Sequence, residues 1–299
     1  MRLRLFVLST LTTLLAAGCA GDPADAAGDD PSEDALAQSA AGSACAKVKG
    51  LAGEGKLEET NCGVSRGPKA EKKIALVFTA GYFCEGGPTF LDTLKQYNAK
   101  ASFFIMSAAA KSTDAASKCS VVLPRLIEEG HYVGGHSNTH PDMVDRQGGK
   151  TIIPRAKFDD EVKKNGDLLR SKGVRGSMRY WMPPSETFNE EIVQWSQEDG
   201  LTTVHMTACP ETRGDYLPTT NAGGKYTNDA IIQRTLGCEA KDPNHLNGAV
   251  LFFHLGVGTA RPEADKFHNA FPTLMKELVQ RGYTFVRIDE MLDPVMGGG

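Results

Sequence analysis

The sequence predicts an α/β fold, a distorted (β/α) barrel of about seven parallel strands, from three observations. Short apolar, β-branched or aromatic runs alternate with segments whose apolar residues recur at helical spacing. Glycines stand where those helices would end. Polar residues gather after the strand-like runs, where barrel proteins carry their chemistry. The seven runs cover residues 74–78, 101–106, 131–135, 180–182, 202–206, 249–254 and 283–288.

Helices are predicted between the runs because apolar residues recur there every three or four positions, as in 90–97 and 271–279. Parallel strands joined by helices form either a closed barrel or an open doubly wound sheet. No glycine-rich phosphate loop follows the first run, so we favour the barrel. The glycines that would end helices before the next strand are Gly130, Gly173, Gly200 and Gly282.

Composition limits the classes of protein to which the chain can belong. It has 299 residues, of which 40% are hydrophobic and 23% charged, an ordinary globular profile. A formal net charge of -4 and a pI near 6.0 provide no basic surface, so we expect no nucleic acid partner. Beyond the N-terminal segment, no apolar run is long enough to cross a bilayer.

Residues 1–19 have the pattern of an export signal: positive residues open the segment, an apolar core covers 5–17, and small residues precede Cys19. That ending resembles the lipobox of bacterial lipoproteins, which predicts lipidation at Cys19 and a membrane anchor. A soluble exported protein cut near the same place is the alternative. Because Ala20 is not an aspartate, nothing indicates retention at the inner membrane. We therefore expect attachment to the bacterial cell envelope, at the outer membrane where one exists.

The remaining chain divides by composition. Residues 20–43 are mostly Ala, Gly, Asp, Ser and Pro and predict a flexible tether. Residues 44–70 form a cysteine-bearing lead-in, and residues 71–294 form the folded domain. Six cysteines follow Cys19, and an even number in an exported chain predicts disulfides. We expect cysteines nearest in sequence to pair, as Cys45–Cys62, Cys84–Cys119 and Cys209–Cys238.

The residues that carry chemistry follow the strand-like runs. His136 and His140 come directly after the third run, at a spacing that on a helical turn puts both imidazoles on one face, able to share an ion. Two histidines that merely line a loop are the alternative. His254 ends the sixth run, and barrel strands end on one rim. This convergence predicts catalysis with a divalent metal, zinc first, because neutral imidazole is a preferred zinc ligand.

In the order and spacing of these motifs the chain resembles polysaccharide deacetylases with NodB homology, carbohydrate esterase family four, over residues 74–292. The H-S-N-T-H run at 136–140 matches that family's metal-binding pair, and L-F-F-H at 251–254 matches its strand ending in the general acid. The resemblance implies a NodB-like barrel and His254 as the acid. It also implies a polysaccharide substrate, such as peptidoglycan, a chitin-like polymer or another acetylated glycan.

The same resemblance points to residues that would contact the substrate. Pro183 and Pro184 match the family's substrate-groove motif. Trp181 lies beside them and is a candidate for stacking on a sugar face, with a buried structural ring as the alternative. Tyr216 follows Asp215 in a pair that resembles a divergent branch of the family, and it is a further candidate contact.

The first motif departs from the family pattern F-D-D-G, whose aspartates serve as general base and third metal ligand. Here the stretch reads F-T-A-G at 78–81, and neither Thr79 nor Ala80 can take over those roles. The divergent branch has F-T-x at this place, and the chain resembles that branch more closely. The third ligand stays open among Glu85, Glu186, Asp215, Tyr82 and a second water. Glu186 and Asp215 rank first, both as ligand and as general base.

These residues predict a metal-dependent hydrolase that removes acetyl groups from a polysaccharide, most simply an N-acetyl amino sugar polymer. Two alternatives stay open: a membrane-tethered carbohydrate-binding protein whose catalytic site has decayed, and an esterase for O-acetyl groups. The D-D-E run at 159–161 imitates the missing motif, but its helical periodicity predicts a solvated helix face. The other histidines, His131, His205, His245 and His268, are expected to serve structure rather than chemistry.

Overall fold

The computed structural model describes residues 45–145, 147 and 149–297, and all seven strand-like runs contain strands. Several of these strands are shorter than predicted, because only their central residues pair. The predicted signal segment, the tether and Cys19 lie outside the described residues. Within the described ranges, no helix is both long and apolar enough to cross a membrane.

The elements follow one another largely as strand then helix. The strands are β1 (Glu58–Thr60), β2 (Gly63–Arg66), β3 (Lys73–Ala80), β4 (Ser102–Ile105), β5 (Tyr132–Gly135), β6 (Tyr180–Trp181), β7 (Thr202–Thr203), β8 (Val250–His254) and β9 (Thr284–Val286). The helices are α1 (45–53), α2 (Gly87–Gln96), α3 (Ser107–Lys111), α4 (Cys119–Glu128), α5 (Arg155–Ser171), α6 (Glu190–Glu198), α7 (Asn228–Lys241), α8 (Phe271–Gln280) and α9 (Ile288–Met296).

The strands form a distorted barrel, which confirms the predicted fold class. Five of them make one parallel sheet in the order β5-β4-β3-β8, with β9 also paired to β3. β6 and β7 form a separate parallel pair. β2 lies between β7 and β8, since Val64 bridges to Val204 in parallel and Arg66 to Ala249 antiparallel. The barrel is distorted because this short segment fills a gap between two parallel strands.

The segment 45–66, predicted only as a lead-in, is part of the fold. Val48, Leu57 and Val64 are buried in the same apolar cluster as the inward side chains of β3 and β8. Arg66 is 2% exposed, and its guanidinium donates to Asp242 at 2.6 Å and to backbone carbonyls of the segment before β8. The segment therefore closes the barrel rather than preceding it.

Strand β3 runs through the centre of the sheet and shows how the core is divided. Every residue of it except Lys73 is buried, as expected for a strand covered on both faces. Ala75 and Val77 belong to the apolar cluster inside the barrel, whereas Leu76 and Phe78 belong to the cluster beneath the helices. By the same alternation Thr79 is directed inward, where it lies beside the end of β8.

Three disulfides join the cysteines as predicted. The Cα atoms lie 5.3 Å apart in Cys45–Cys62, 4.9 Å in Cys84–Cys119 and 6.0 Å in Cys209–Cys238. The second ties the loop after β3 to the start of α4, and the third ties the segment after β7 to α7. Both of these segments follow the C-terminal ends of strands. The crosslinks therefore restrain the end of the barrel at which the active site was predicted.

Candidate active site

A cavity of about 390 Å³ opens at the C-terminal ends of the strands and brings together the three predicted histidines. A larger cavity, of about 460 Å³, lies along α5 and holds none of them. The distant segments meet because parallel barrel strands end on the same rim. The polar and aromatic side chains around the smaller cavity are Thr79, Tyr82, Phe83, His136, His140, Ser185, Glu186, Tyr216 and His254.

His136 is held in one orientation and one tautomer. Its backbone N–H donates to Asn165 Oδ1 at 3.1 Å, and its ring Nδ1 lies 2.8 Å from the carbonyl oxygen of Met182. Because a carbonyl can only accept, Nδ1 carries the proton and Nε2 keeps its lone pair. Burial, then the positive forms of His140 and His254, lower the pKa of His136 to about 3. The ring is therefore neutral near pH 7, the state a metal ion requires.

His140 reaches the same cavity through an irregular loop, not the helical turn that the sequence spacing suggested. Ser137 and His140 both have left-handed backbone conformations, with φ of 66° and 61°. The Ser137 hydroxyl oxygen accepts the backbone N–H of His140 at 3.0 Å. The two imidazole centroids lie 5.0 Å apart, so the predicted pairing of rings holds although its backbone basis differs.

Helix α5 holds this loop through a carboxylate that the sequence analysis assigned to a solvated face. Asp160 does form the expected surface pair with Lys164, at 2.8 Å. Glu161, however, is 0% exposed, and its carboxylate accepts the backbone N–H of Thr139 at 2.6 Å and the Thr139 hydroxyl at 2.7 Å. The prediction was wrong for Glu161, because the helix rotates this position toward the barrel. One turn later, Asn165 holds His136.

His254 forms a buried pair with Asp215. The ring Nδ1–H donates to Oδ1 at 2.7 Å, and the backbone N–H of His254 donates to Oδ2 at 2.8 Å. Burial lowers the pKa of His254, but the charge of Asp215, the hydrogen bond to it and the charge of Glu186 outweigh burial and raise it overall. Since Nδ1 is occupied, Nε2 is the ring atom left for proton transfer.

Along one edge of β8, the backbone N–H groups donate hydrogen bonds to side chains rather than to a neighbouring strand. The N–H groups of Val250 and Phe252 donate to the hydroxyl oxygens of Thr207 at 2.9 Å and Thr212 at 3.1 Å. In the same way, a carboxylate oxygen of Asp215 accepts the backbone N–H of His254. Buried N–H groups without partners are costly, so this ladder fixes the segment 207–215 against the strand that carries His254.

Arg261 supports the same segment from behind. It is 2% exposed, and its guanidinium donates to the carbonyl oxygens of Leu217 at 2.7 Å and Gly214 at 3.0 Å. A fully buried arginine with several backbone acceptors is a structural anchor. Neither Arg261 nor Thr212 was predicted, because an isolated Thr or Arg in a loop carries no pattern.

Within the described ranges, none of the carboxylates predicted as a third metal ligand forms a compact cluster of donor atoms with the histidine pair. Asp215 is engaged by His254, and Glu85 Oε1 accepts from Lys266 at 2.8 Å and from two backbone N–H groups. Over the described ranges, a compact cluster of three histidine, cysteine or carboxylate donors occurs only at Cys45, Cys62 and Glu190, where the cysteines form a disulfide. His136 and His140 could therefore bind a metal ion as a pair of ligands, which would leave the ion's other coordination positions open. Glu186 is the carboxylate that lines their cavity.

The predicted substrate contacts divide into two groups. Tyr216 is 44% exposed and lines the cavity, with its ring centroid 4.9 Å from that of His254. Trp181 is 1% exposed and donates from Nε1 to the Thr203 hydroxyl at 3.1 Å, so it offers no face to a sugar, contrary to the prediction. Pro183 and Pro184 are likewise buried. They lead into a turn whose next two residues, at φ of 55° and 53°, line the cavity in their place.

Fold and site together define the class: an α/β-barrel protein with a histidine-lined cavity at the C-terminal ends of its strands. Residues 66–204 match the family described as polysaccharide deacetylase. The resemblance seen in the sequence is confirmed: the chain carries a polysaccharide deacetylase domain, its homologues include peptidoglycan deacetylases, and its structural neighbours belong to carbohydrate esterase family 4.

Two relatives illustrate the sequence similarity. PgdA, a peptidoglycan-N-acetylglucosamine deacetylase of Listeria monocytogenes, is 28% identical over 227 residues, which make up 75% of this chain and only 39% of that protein. PdaA, a peptidoglycan-N-acetylmuramic acid deacetylase of Bacillus subtilis, is 26% identical over 227 residues, covering 76% of this chain and 73% of that one.

Two solved structures show the same fold. The structure of Bacillus subtilis PdaA has a TM-score of 0.59 at 20% identity and covers 83% of this chain and 89% of that one. A carbohydrate esterase family 4 pseudoenzyme from Bacillus anthracis has a TM-score of 0.58 at 21% identity, covering 79% of this chain and 70% of that one.

Proposed function

We propose that this chain is a metal-dependent hydrolase that removes acetyl groups from an N-acetyl amino sugar polymer. One observation carries the proposal: His136 and His140 share a cavity with His254, which a buried carboxylate orients. Homologues named as peptidoglycan deacetylases and a chitooligosaccharide deacetylase support a polysaccharide substrate.

His136 and His140 would hold the ion, and Glu186, the carboxylate that lines their cavity, is the candidate for a further ligand or for the general base. A divalent metal, zinc first, supplies a Lewis acid for the acetyl carbonyl and lowers the pKa of bound water toward about 7. His254 donates a proton from Nε2 to the departing amine nitrogen. Asp215 keeps His254 in the tautomer that can do so and stabilises its protonated form.

We also propose that the chain is exported and anchored to the cell envelope by a lipid on Cys19. The support is the sequence pattern of residues 1–19, with small residues directly before that cysteine. Mass spectrometry of the N-terminal peptide from membranes tests this. A lipidated Cys19 is expected, and a Cys19→Ala chain should appear in the soluble fraction.

A second candidate function, glycan binding without turnover, is favoured by a specific observation. Thr79 stands in the cavity where the family has an aspartate, and within the described ranges no third compact donor joins the histidine pair. A protein of this kind would retain glycans but release no acetate.

Metal analysis and acetate release distinguish the two functions. The full chain, extracted from membranes in detergent, is assayed on chitin oligomers, peptidoglycan and acetylxylan, which separates N- from O-deacetylation. We expect one bound divalent ion and acetate from the N-acetyl polymers. His140→Ala should lose both, whereas His245→Ala, a change at an exposed histidine outside the cavity, should lose neither. Acetate release that persists without metal contradicts the proposal.

A further inference from the structure

We propose that Tyr82 and Phe83 form an aromatic rim that binds a second sugar ring of the polymer, next to the sugar being deacetylated. This inference rests on the proposed function, whose substrate is already a polymer, and assigns the residues that would contact the sugar next to the reacting one. The rim occupies the loop after β3, where the departure from the family's first motif is greatest.

The exposure of these rings is unusual for the molecule. Tyr82 is 60% exposed, Phe83 42% and Tyr216 44%, and all three line the histidine cavity. Single exposed apolar side chains are ordinary, but a group of aromatic rings around one cavity marks a binding surface. The other large apolar side chains that are exposed in the described part of the chain, Val121, Ile152 and Val279, do not line this cavity.

The backbone beneath the rim is fixed although the rings are open to solvent. Cys84 is crosslinked to Cys119 at the start of α4. Glu85 Oε1 accepts the N–H groups of Val257 at 2.9 Å and Gly258 at 2.8 Å, so the loop after β3 is bound to the loop after β8. Rings on a fixed backbone lose little conformational freedom when a ligand binds, which favours affinity.

A glycine in the facing loop leaves room for the rim. Gly258 has a φ of 54°, and a Cβ added there would lie 2.7 Å from the Phe83 ring. That ring therefore rests against the glycine and is still 42% exposed. The loop after β8 thus supports the Phe83 ring, while the Tyr82 ring is the more exposed of the two.

The chemistry of the rim suits a pyranose ring. One face of such a ring presents C–H groups, which pack on an aromatic face, while its hydroxyl groups lie at the edge, within reach of a tyrosine hydroxyl. The cavity of about 390 Å³ holds the histidines and hence the reacting sugar. A neighbouring sugar of the same polymer must leave the cavity across its rim, where Tyr82 and Phe83 lie.

Calorimetric titration with N-acetylglucosamine monomer, dimer and tetramer tests the rim, because it measures binding and not turnover. We expect the wild-type chain to bind the tetramer more tightly than the monomer. Tyr82→Ala should weaken tetramer binding about fivefold to tenfold, the scale of one aromatic contact, and should weaken monomer binding less. Tyr82→Trp should restore it. Ile152→Ala, at a side chain 57% exposed elsewhere, is the matched control and should change nothing.

The outcomes separate this inference from the proposed function. If acetate is released but Tyr82→Ala and Phe83→Ala bind the tetramer as tightly as wild type, the rim is overturned and the function stands. If no acetate is released while tetramer binding still depends on Tyr82, the proposed hydrolase function is wrong. The rim is then supported as part of a protein that binds glycans without turnover. Equal wild-type affinity for monomer and tetramer overturns the rim.

Discussion

Asp215 contacts His254 at two points, with one oxygen 2.7 Å from the ring Nδ1 and the other 2.8 Å from the backbone nitrogen. The two residues are 39 positions apart in sequence, so the contact depends on the segment 207–215 lying along β8. The ring and the strand end are therefore positioned by the same carboxylate. Both oxygens of Asp215 are engaged by His254, an arrangement that suits a residue that positions the histidine better than the base or ligand for which the sequence made it a candidate.

Asp215→Asn should lower kcat by a factor of about 10² to 10⁴, because the amide stabilises the wrong tautomer and no longer stabilises a protonated ring. The carboxylate raises the pKa of His254, so its loss lowers that pKa. If His254 acts as the acid, the limb of the pH–rate profile on which activity falls as pH rises must move to lower pH. Acetate release measured across pH checks both effects. Asp229→Asn, an exposed change on α7, should have neither, and an unchanged profile in Asp215→Asn contradicts the role.

Thr79→Asp should strengthen metal binding at least about tenfold, because zinc sites commonly have three protein ligands and this one shows a histidine pair. Thr79 is 3% exposed, lines the cavity and pairs with His254 across β3 and β8, so a carboxylate there would face the histidines. Competition with a metal indicator measures the affinity.

Ala80→Asp is the matched control, one position along the same strand. Ala80 is 1% exposed and belongs to the apolar cluster beneath the helices, so a carboxylate there would be buried away from the cavity. It should lower the midpoint of thermal unfolding and leave metal affinity unchanged. If Ala80→Asp, and not Thr79→Asp, strengthens binding, the assignment of the two faces of β3 is wrong.

Glu161→Gln should weaken metal binding by a factor of about 10 to 100, the usual effect of removing a group that orients metal ligands. The amide keeps the shape of the side chain but cannot accept both hydrogen bonds from Thr139 and pair with Lys157, so the loop carrying His140 loosens. Asp160→Asn, the adjacent change in an exposed ion pair, should leave the affinity unchanged. Equal affinities in the two variants would show that Glu161 does not orient the loop.

The sequence was sufficient for the barrel because its strands are buried on both faces and read as short apolar runs between helical patterns. The histidine site was also predictable, since His136 and His254 follow such runs and strand ends converge. Residues that support the site left no such signal. Glu161 lies in a run of charges, and only the rotation of α5 distinguishes it from its exposed neighbours. Strand β2 pairs with β1 in a short antiparallel ladder and meets the barrel strands only through isolated bridges, so its sequence has no need of a long apolar run.

His131 should make the protein less stable in acid. Burial, and next the charge of Lys100, lower the pKa of His131 to about 4 from an ordinary 6.5. The unfolded chain therefore binds a proton that the folded chain resists, and the stability present above pH 6.5 falls as pH decreases toward 4, by at most about 3 kcal/mol for this group. His131→Asn keeps an acceptor for the Ala101 N–H, which His131 Nδ1 now accepts at 3.2 Å, and it removes the titration. Urea unfolding near neutral pH and near pH 4.5 should show a smaller loss in the variant, whereas His245→Asn, at a half-exposed histidine, should match wild type.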